Sequence, residues 1–468
     1  MSLCPTHPLY SACAAAWLEY RLCYQGGRPY TDCYIARHPK EPVAYYRERL
    51  CRATHPNHVR AVIDTYAAHL YRAPIPRTST SDTLDALWAD MDLLGTPANE
   101  LYERVAQLVQ RDGRCAVVVD RLDPVADVVT RSQEREVGRR PYAYAVEAVD
   151  LLDWSVDRMG RLVWVVIRER QVDERAPLEV EKEPTSELVR IWYRDRWQLV
   201  ELDSVTDEKS GKASTLRRVL AEGDHPCGEV PVALVYWGAR HGVEPIGDSA
   251  LTDLAPANRR LTNLVSLIDE QIYQHVFSIL AVPESTFAAL EKMNFSPSGV
   301  LSYRDDVSST PYYLAPDVSQ IQAIRSEIDK TEAQIRALSG LGRVNEDTKH
   351  VQSGLALSYV TMDKDALLAK FGQRMSRVEG HVDRLAAAWM EERNVVSQRE
   401  YPMSFDPQDV DAELANALKF AALEIPGMAG REAQIAVTRS YLGSRIDPER
   451  LQEVLTDLLA QPLNSGGI

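Results

Sequence analysis

Between Leu251 and Leu338 the sequence carries two long apolar stripes of helical period with a strand-like insert between them, and this arrangement constrains the fold most. Leu254, Leu261 and Ile268 recur every seven residues, accompanied by Leu251, Leu264, Val265 and Ile272. That spacing predicts a helix of about 24 residues, roughly 36 Å long at 1.5 Å per residue. A second stripe opens after Pro316 and Asp317 and runs through Val318, Ile321, Ile324, Ile328, Ile335 and Leu338. The insert reads as a strand over Val276–Val282, a helix over Glu284–Met293, and strands over Val300–Tyr303 and Tyr312–Leu314. Two such helices must pack on each other, and neither has enough chain nearby to cover a second face. Lateral packing of copies in a closed ring would bury both.

The rest of the chain places this unit within an α+β, mainly helical protein. Tyr45–Leu50 opens a helical pattern that resumes after Pro56 with Val59, Ile63, Tyr66, Ala67 and Leu70, and Pro74 and Pro76 end it. A helix follows over Ala98–Arg111 with Leu101, Val105, Leu108 and Val109 inward. Gly113 caps it, and Cys115–Asp120 is a short apolar run that reads as a buried strand. From Tyr142 to Tyr236 the period is that of strands, at Val163–Arg168, Leu188–Tyr193, Trp197–Leu202 and Pro231–Trp237. The polar segment Asp203–Gly223 reads as a hairpin or a flexible loop. After the second long helix, Ser339-Gly340-Leu341-Gly342 ends the pattern. Polar residues Arg343–Gln352 then lead into the longest helix, from Ser353 to about Arg393. Its stripe is Leu368, Phe371, Met375, Val378, Val382, Leu385 and Trp389. Beyond Pro407 the tail is again helical, ending in a segment with Leu451, Val454, Leu458 and Leu459.

Composition narrows the function by exclusion. Hydrophobic residues make up 45% and charged residues 26% of 468, an ordinary globular balance, and no run of eighteen apolar residues suggests a membrane span. Pro5, His7 and Pro8 stand where an export signal would need a basic and then an apolar stretch, so the chain is expected to be made and used in a cytoplasm. The net charge of −15 disfavours a protein that grips DNA, since such binding comes largely from phosphate neutralisation. It does not disfavour a conduit that lets DNA slide. The seven cysteines form no C-x-x-C pair and are expected to be free, buried or half-buried thiols. The spacing of Cys23, Cys33 and His38 does not match a closed zinc site. The ten histidines are scattered, mostly beside prolines or on polar faces, which favours solvated side chains. No phosphate loop, zinc-protease motif, nucleophile elbow or dinucleotide fingerprint occurs. Gly340-Leu341-Gly342 follows a helix and reads as a helix cap and hinge. No enzyme activity, cofactor or metal is expected.

Six stretches in order give the chain a family resemblance. They are Tyr45–Leu50 through Tyr71–Ile75, Asp112–Asp120, Arg140–Tyr142 through Asp153-Trp154, Gly228–Val232, Ser249–Ala255 with Asn258, and Ser353–Leu357. With the helix–insert–helix order, the chain resembles the portal proteins (head-to-tail connectors) of tailed bacteriophages over nearly its whole length. The resemblance implies a wing over 1–247, stem helices over 248–274 and 317–339, and a clip over 275–316. It also implies a tunnel loop over 340–352, a long wing helix with a closing strand over 353–406, and a crown over 407–468, all around a central channel. It implies a dodecamer at one capsid vertex of the virion, assembled in the host cytoplasm, through which double-stranded DNA is packaged and ejected. The implied partners are the terminase large subunit, the major capsid protein, and head-tail adaptor and tail proteins, with no membrane.

Within that frame the cations expected to meet DNA are Arg343, Lys349 and His350 in the tunnel loop and Lys330 and Arg336 on the second stem helix. For the last two, a solvated or intersubunit helix face is the alternative. Gly340 and Gly342 would be the hinge, and Glu284, Glu291, Lys292 and Arg304 would dock terminase and adaptor at the clip. A competing reading from another class is a phage head morphogenesis enzyme or nucleic-acid-processing subunit with a cryptic metal site. A cluster of carboxylates in one pocket would mark it.

Overall fold

The computed structural model describes residues 3–121, 140–169, 186–206, 213–276, 279–284, 286–287, 300–304, 310–314, 318–339, 354–402 and 448–460, with a few positions between 431 and 438. The chain divides into two units, Met1–Met403 and Ser404–Ile468. In the first, helices α1 (Pro8–Gln25), α2 (Gly27–Tyr34), α3 (Val43–Arg52) and α4 (His58–Leu70) come first. Strand β1 (Arg77–Ser79) and helices α5 (Asp82–Ala89) and α6 (Ala98–Asp112) follow. The second unit holds the helix Pro448–Ala460.

At the centre of the first unit is β2 (Arg114–Arg121), buried at every position but its last. The run Cys115–Val119 has no polar side chain, so the strand is stable only when covered on both faces. It pairs antiparallel with β3 (Pro141–Val146) and β9 (Val232–Tyr236). Between these in sequence lies a five-stranded antiparallel sheet of β4 (Leu151–Val156), β5 (Leu162–Glu169), β6 (Ser186–Tyr193), β7 (Arg196–Thr206) and β8 (Ala213–Asp224), in sequential order. The segment read as hairpin or loop is thus the β7–β8 hairpin, with eleven residue pairs in register around one bulge. Val166, Val189, Ile191, Val200 and Leu202 line one face of this sheet, and Leu3, Cys4 and Tyr10 pack over them.

Helix α7 (Leu254–Val276) leads to the insert strands β10 (Ile279–Pro283), β11 (Val300–Tyr303) and β12 (Tyr312–Leu314), and α8 (Val318–Ser339) returns from them. The sheet order is β11-β10-β12, with β10 parallel to β11 and antiparallel to β12. The first insert strand begins at Ile279, because the helical stretch continues to Val276, where a strand had been expected. The longest helix, α9 (Gly354–Trp389), packs against β2 and β9, and β13 (Ser397–Arg399) then closes onto β1. Helices α1, α2 and α5 are additional to the expected pattern.

Polar groups buried along α9 fix its placement. Arg77 and Arg399 face each other across the β1–β13 pair, a like-charged contact that would repel if left alone. Glu379 and Asp383, four residues apart on one face of α9, each answer one of them. Arg77 makes two 3.0 Å bonds to Glu379, and Arg399 lies 2.8 Å from Asp383. Trp88 donates to Asp383 at 3.0 Å, and Tyr401 donates to Glu379. Gly380 permits this approach, since a Cβ there would stand 2.7 Å from the Arg399 guanidinium.

Candidate functional site

The candidate site is the α7–α8 pair with its insert, and its mounting begins at β2. Gly113, the cap of α6 at φ +81, lies so close to the linker before α7 that a Cβ would stand 2.3 Å from the Gly247 carbonyl oxygen. Ser249 donates to the Arg111 carbonyl at 2.5 Å, the Ala250 amide donates to Gln110 at 3.0 Å, and the Trp237 amide donates to Gly113 at 3.2 Å. Next to this crossing, the Arg114 guanidinium lies 4.6 Å from the rings of both Trp17 and Trp154. It donates to the carbonyls of Pro245, Ala148 and Leu151. Burial without an ion-pair partner depresses its pKa to about 10. Asp112–Asp120 and Ser249–Ala255, two of the stretches that carry the family resemblance, therefore meet here.

Beyond the crossing, α7 is held by a row of buried polar side chains spaced four residues apart: Asn258, Thr262 and Ser266. Asn258 accepts from the His58 amide, and Thr262 lies 2.9 Å from His55 Nδ1. Ser266 accepts from Arg49 at 2.9 Å. Arg49 also makes two 2.9 Å bonds to Glu41 and one to the Ala36 carbonyl, which satisfies a nearly inaccessible guanidinium. One turn on, Arg52 pairs with Glu270 and stacks 4.1 Å from the Tyr273 ring. His55 Nε2 must donate to the Cys23 carbonyl at 3.2 Å, which leaves Nδ1 as the acceptor of the neutral ring, and burial holds its pKa below the ordinary value.

This polar row, with Arg52 at Glu270 and Tyr273, corrects the expectation that α7 lacks cover on a second face, because α1–α4 supply it. Leu267 and Ile272 are nevertheless exposed, as are part of Tyr273 and, on α8, Leu338. The two helices run antiparallel: Tyr66 of α4 reaches the end of α8 at Ser339, near where Asn258 of α7 meets His58, and Arg260 pairs with Glu327 farther along. Leu254, Leu261 and Ile268 on α7 and Thr331 and Ile335 on α8 are all buried. Among the described residues no helix is long and apolar enough to cross a membrane.

Of the expected channel cations, Lys330 and Arg336 lie exposed on α8. Lys330 is 2.8 Å from Glu327, which Arg260 also meets at 2.6 Å, and Arg336 is 3.6 Å from Glu332. Both charges are thus partly answered on the protein surface. Gly340, Gly342, Arg343, Lys349 and His350 lie outside the described residues, as do Glu291 and Lys292. Glu284 follows β10 and Arg304 follows β11, both exposed, with Leu301 and Tyr312 also exposed on the insert.

Other expectations are corrected by burial. His225 is buried, with its ring 5.5 Å from that of Trp389, and His55 is largely enclosed, so neither is a solvated histidine. Cys33 and Cys51 are exposed rather than buried or half-buried. Glu379 and Asp383 on α9 are almost wholly inaccessible although charged. Among the described residues no three His, Cys, Asp or Glu side chains are grouped to hold a metal ion.

No protein-family model matches the chain, and no curated protein matches it. Among solved structures it is similar to a chain from the neck of an empty gene transfer agent (GTA) particle computed with C6 symmetry, at 11% identity and TM-score 0.38. That likeness covers 86% of this chain and 94% of the other. It is also similar to a chain from the neck of a native GTA particle computed with C12 symmetry, at 12% identity, TM-score 0.35, and 88% and 98% coverage. A third similar chain belongs to the virion of a native GTA particle, at 11% identity, TM-score 0.34, and 85% and 88% coverage. At such scores a likeness decides no role, and the functional reading rests on this chain's own residues.

Proposed function

We propose that the chain is a portal subunit: a protein without catalytic chemistry of its own, twelve copies of which close into a ring at one capsid vertex. The ring would act as a conduit for double-stranded DNA during packaging and ejection. The insert between α7 and α8 would be the face that docks the terminase large subunit and later the head-tail adaptor and tail proteins, and the body would meet the major capsid protein. The observation that supports this reading most is the α7–α8 pair. One end is pinned to the body by the Gly113–Gly247 crossing and the Asn258–Thr262–Ser266 row. Farther out, Leu267, Ile272 and part of Tyr273 remain open to water, as does Leu338 at the body end of α8. Apolar side chains held on a rigid mount gain by lateral burial, and a head-to-tail contact that closes on itself makes a ring.

Lys330 and Arg336 would face the channel or a neighbouring copy, and the segment containing Arg343, Lys349 and His350 would form the narrowest point, hinged at Gly340 and Gly342. Contacts there would go to phosphates and carry no sequence preference. Sedimentation velocity on the purified chain tests the proposal. A discrete species of about twelve subunit masses is expected, and a monomer at every concentration and salt would overturn it.

A further inference from the structure

Charge is distributed unevenly over the first unit. In a chain of net charge −15, residues 26–60 hold seven Lys/Arg against three Asp/Glu. Some of these cations serve the fold: Arg49 and Arg52 bind α7 partners, and Arg60 bonds to the Tyr24 and Gln25 carbonyls. Arg37, Lys40 and Arg47 are exposed, and no salt bridge of Lys40 or Arg47 occurs among the described residues. Val43 and Tyr45 stand between them on the start of α3, with Tyr45 62% exposed. The result is a basic surface with an apolar centre.

The opposite pattern lies along α5 and the start of α6. From Thr78 to Glu103 there are six Asp/Glu and no Lys or Arg. The loop joining the two helices is braced. Asp92 accepts the amides of Leu94 and Thr96, Asp90 accepts that of Gly95 and pairs with Arg140 at 2.6 Å, and the Met91 amide donates to Thr96. These bonds hold Leu93 at φ +66, a left-handed conformation that costs a non-glycine residue roughly 1 kcal/mol. At the tip of the turn Leu94 is 87% exposed. A strained, fully bonded turn that holds a leucine in water is suited to inserting it into a partner.

We infer that the basic surface at Arg37, Lys40, Tyr45 and Arg47 docks against the acidic α5–α6 edge and Leu94 of a second copy of this chain. Charge complementarity selects that occupant. Copies of net charge −15 repel one another unless opposite patches are apposed, and each copy carries one patch of each sign with an apolar contact at its centre. Repeated around a ring, each copy gives its basic surface to one neighbour and its acidic edge to the other. The inference rests on the ring reading and assigns a surface to its lateral contact.

The test compares the full chain with K40E/R47E, with L94S, and with K40E/R47E/E100K, by sedimentation velocity at about 50 and 500 mM salt, where screening differs strongly. The double reversal is expected to raise the dissociation constant for assembly by roughly tenfold or more at low salt, with less effect at high salt. L94S is expected to weaken assembly at both salts, and adding E100K to restore part of the loss. Thermal unfolding of the monomer should be unchanged, since these side chains are exposed. Wild-type-like assembly by K40E/R47E would overturn the inference while leaving the ring intact, and so would a two-fold dimer as the end product. Unchanged assembly with lost binding of a short duplex DNA probe would assign the basic surface to DNA instead. If the wild-type chain never assembles, the ring reading fails, and this one with it.

Discussion

The β2-centred body and the α7–α8 pair use charged and apolar residues in opposite ways. Inside the body, several buried arginines are answered by carboxylates: Arg77 by Glu379, Arg399 by Asp383, and Arg190 by Asp120 and Glu169, both at 2.6 Å. In the helix pair such charges lie on the surface, in the Arg260–Glu327–Lys330 group and between Arg336 and Glu332. Apolar side chains are inaccessible along β2, whereas the pair exposes Leu267, Ile272 and Leu338. The interior of the body is therefore complete as one chain, whereas the pair has surface left to bury. Substitutions inside the body should act on unfolding, and those on the pair, like those at the exposed Lys40, Arg47 and Leu94, should act on assembly.

The largest effect is expected at Glu379. Glu379→Ala leaves the Arg77 guanidinium buried without its carboxylate, and breaking such a pair costs about 3–5 kcal/mol. Denaturant unfolding checks this, and a loss below about 1 kcal/mol would mean that the body does not depend on its buried ions. Next comes Gly113→Ala, which combines φ +81 with a contact to the Gly247 oxygen and should cost about 2–3 kcal/mol. Gly95→Ala is the control. It also has a positive φ, +93, but nothing lies within 4 Å of its would-be Cβ, so only the conformational cost of roughly 1 kcal/mol applies.

The parts of the fold that were legible in the sequence are those whose burial is periodic. Strands β11 and β12 match the expected ranges, and α7, α8 and α9 differ from theirs only near the ends. Helix α1 escaped because only Trp17 and Cys23 are buried along its 18 residues, which leaves no stripe to read. Val378 was assigned to the apolar stripe of α9 but is half-buried, and its neighbour Glu379 takes the inaccessible position. Nothing local marks that exchange, because its partner Arg77 is 302 residues away. His55 was hidden for the same reason, since its environment comes from Tyr30, Cys23 and Thr262.

A smaller effect is expected from acid. Burial holds His55 and His225 below their ordinary value of 6.5, so the unfolded chain takes up protons first as pH falls. The stability tied to both neutral rings is thus fully present above about 6.5 and declines below it. A loss of stability is expected between about pH 7.5 and 5 relative to a His55→Gln/His225→Gln variant, in which carboxylate effects are matched. Equal pH dependence in the two proteins would contradict it. The smallest effect belongs to the helix pair. Lys330→Ala removes an exposed ion pair and should change unfolding by less than about 0.5 kcal/mol. A larger loss in the monomer would place α8 in the body's energetics.

An electron cryomicroscopy reconstruction of the assembled full-length protein tests the central claim most directly. The expected result is a closed ring with α7–α8 pairs side by side around a channel, and with Leu267, Ile272, Tyr273 and Leu338 covered by neighbouring copies. A monomer, a two-fold dimer, or a ring that leaves those four side chains in solvent would contradict it.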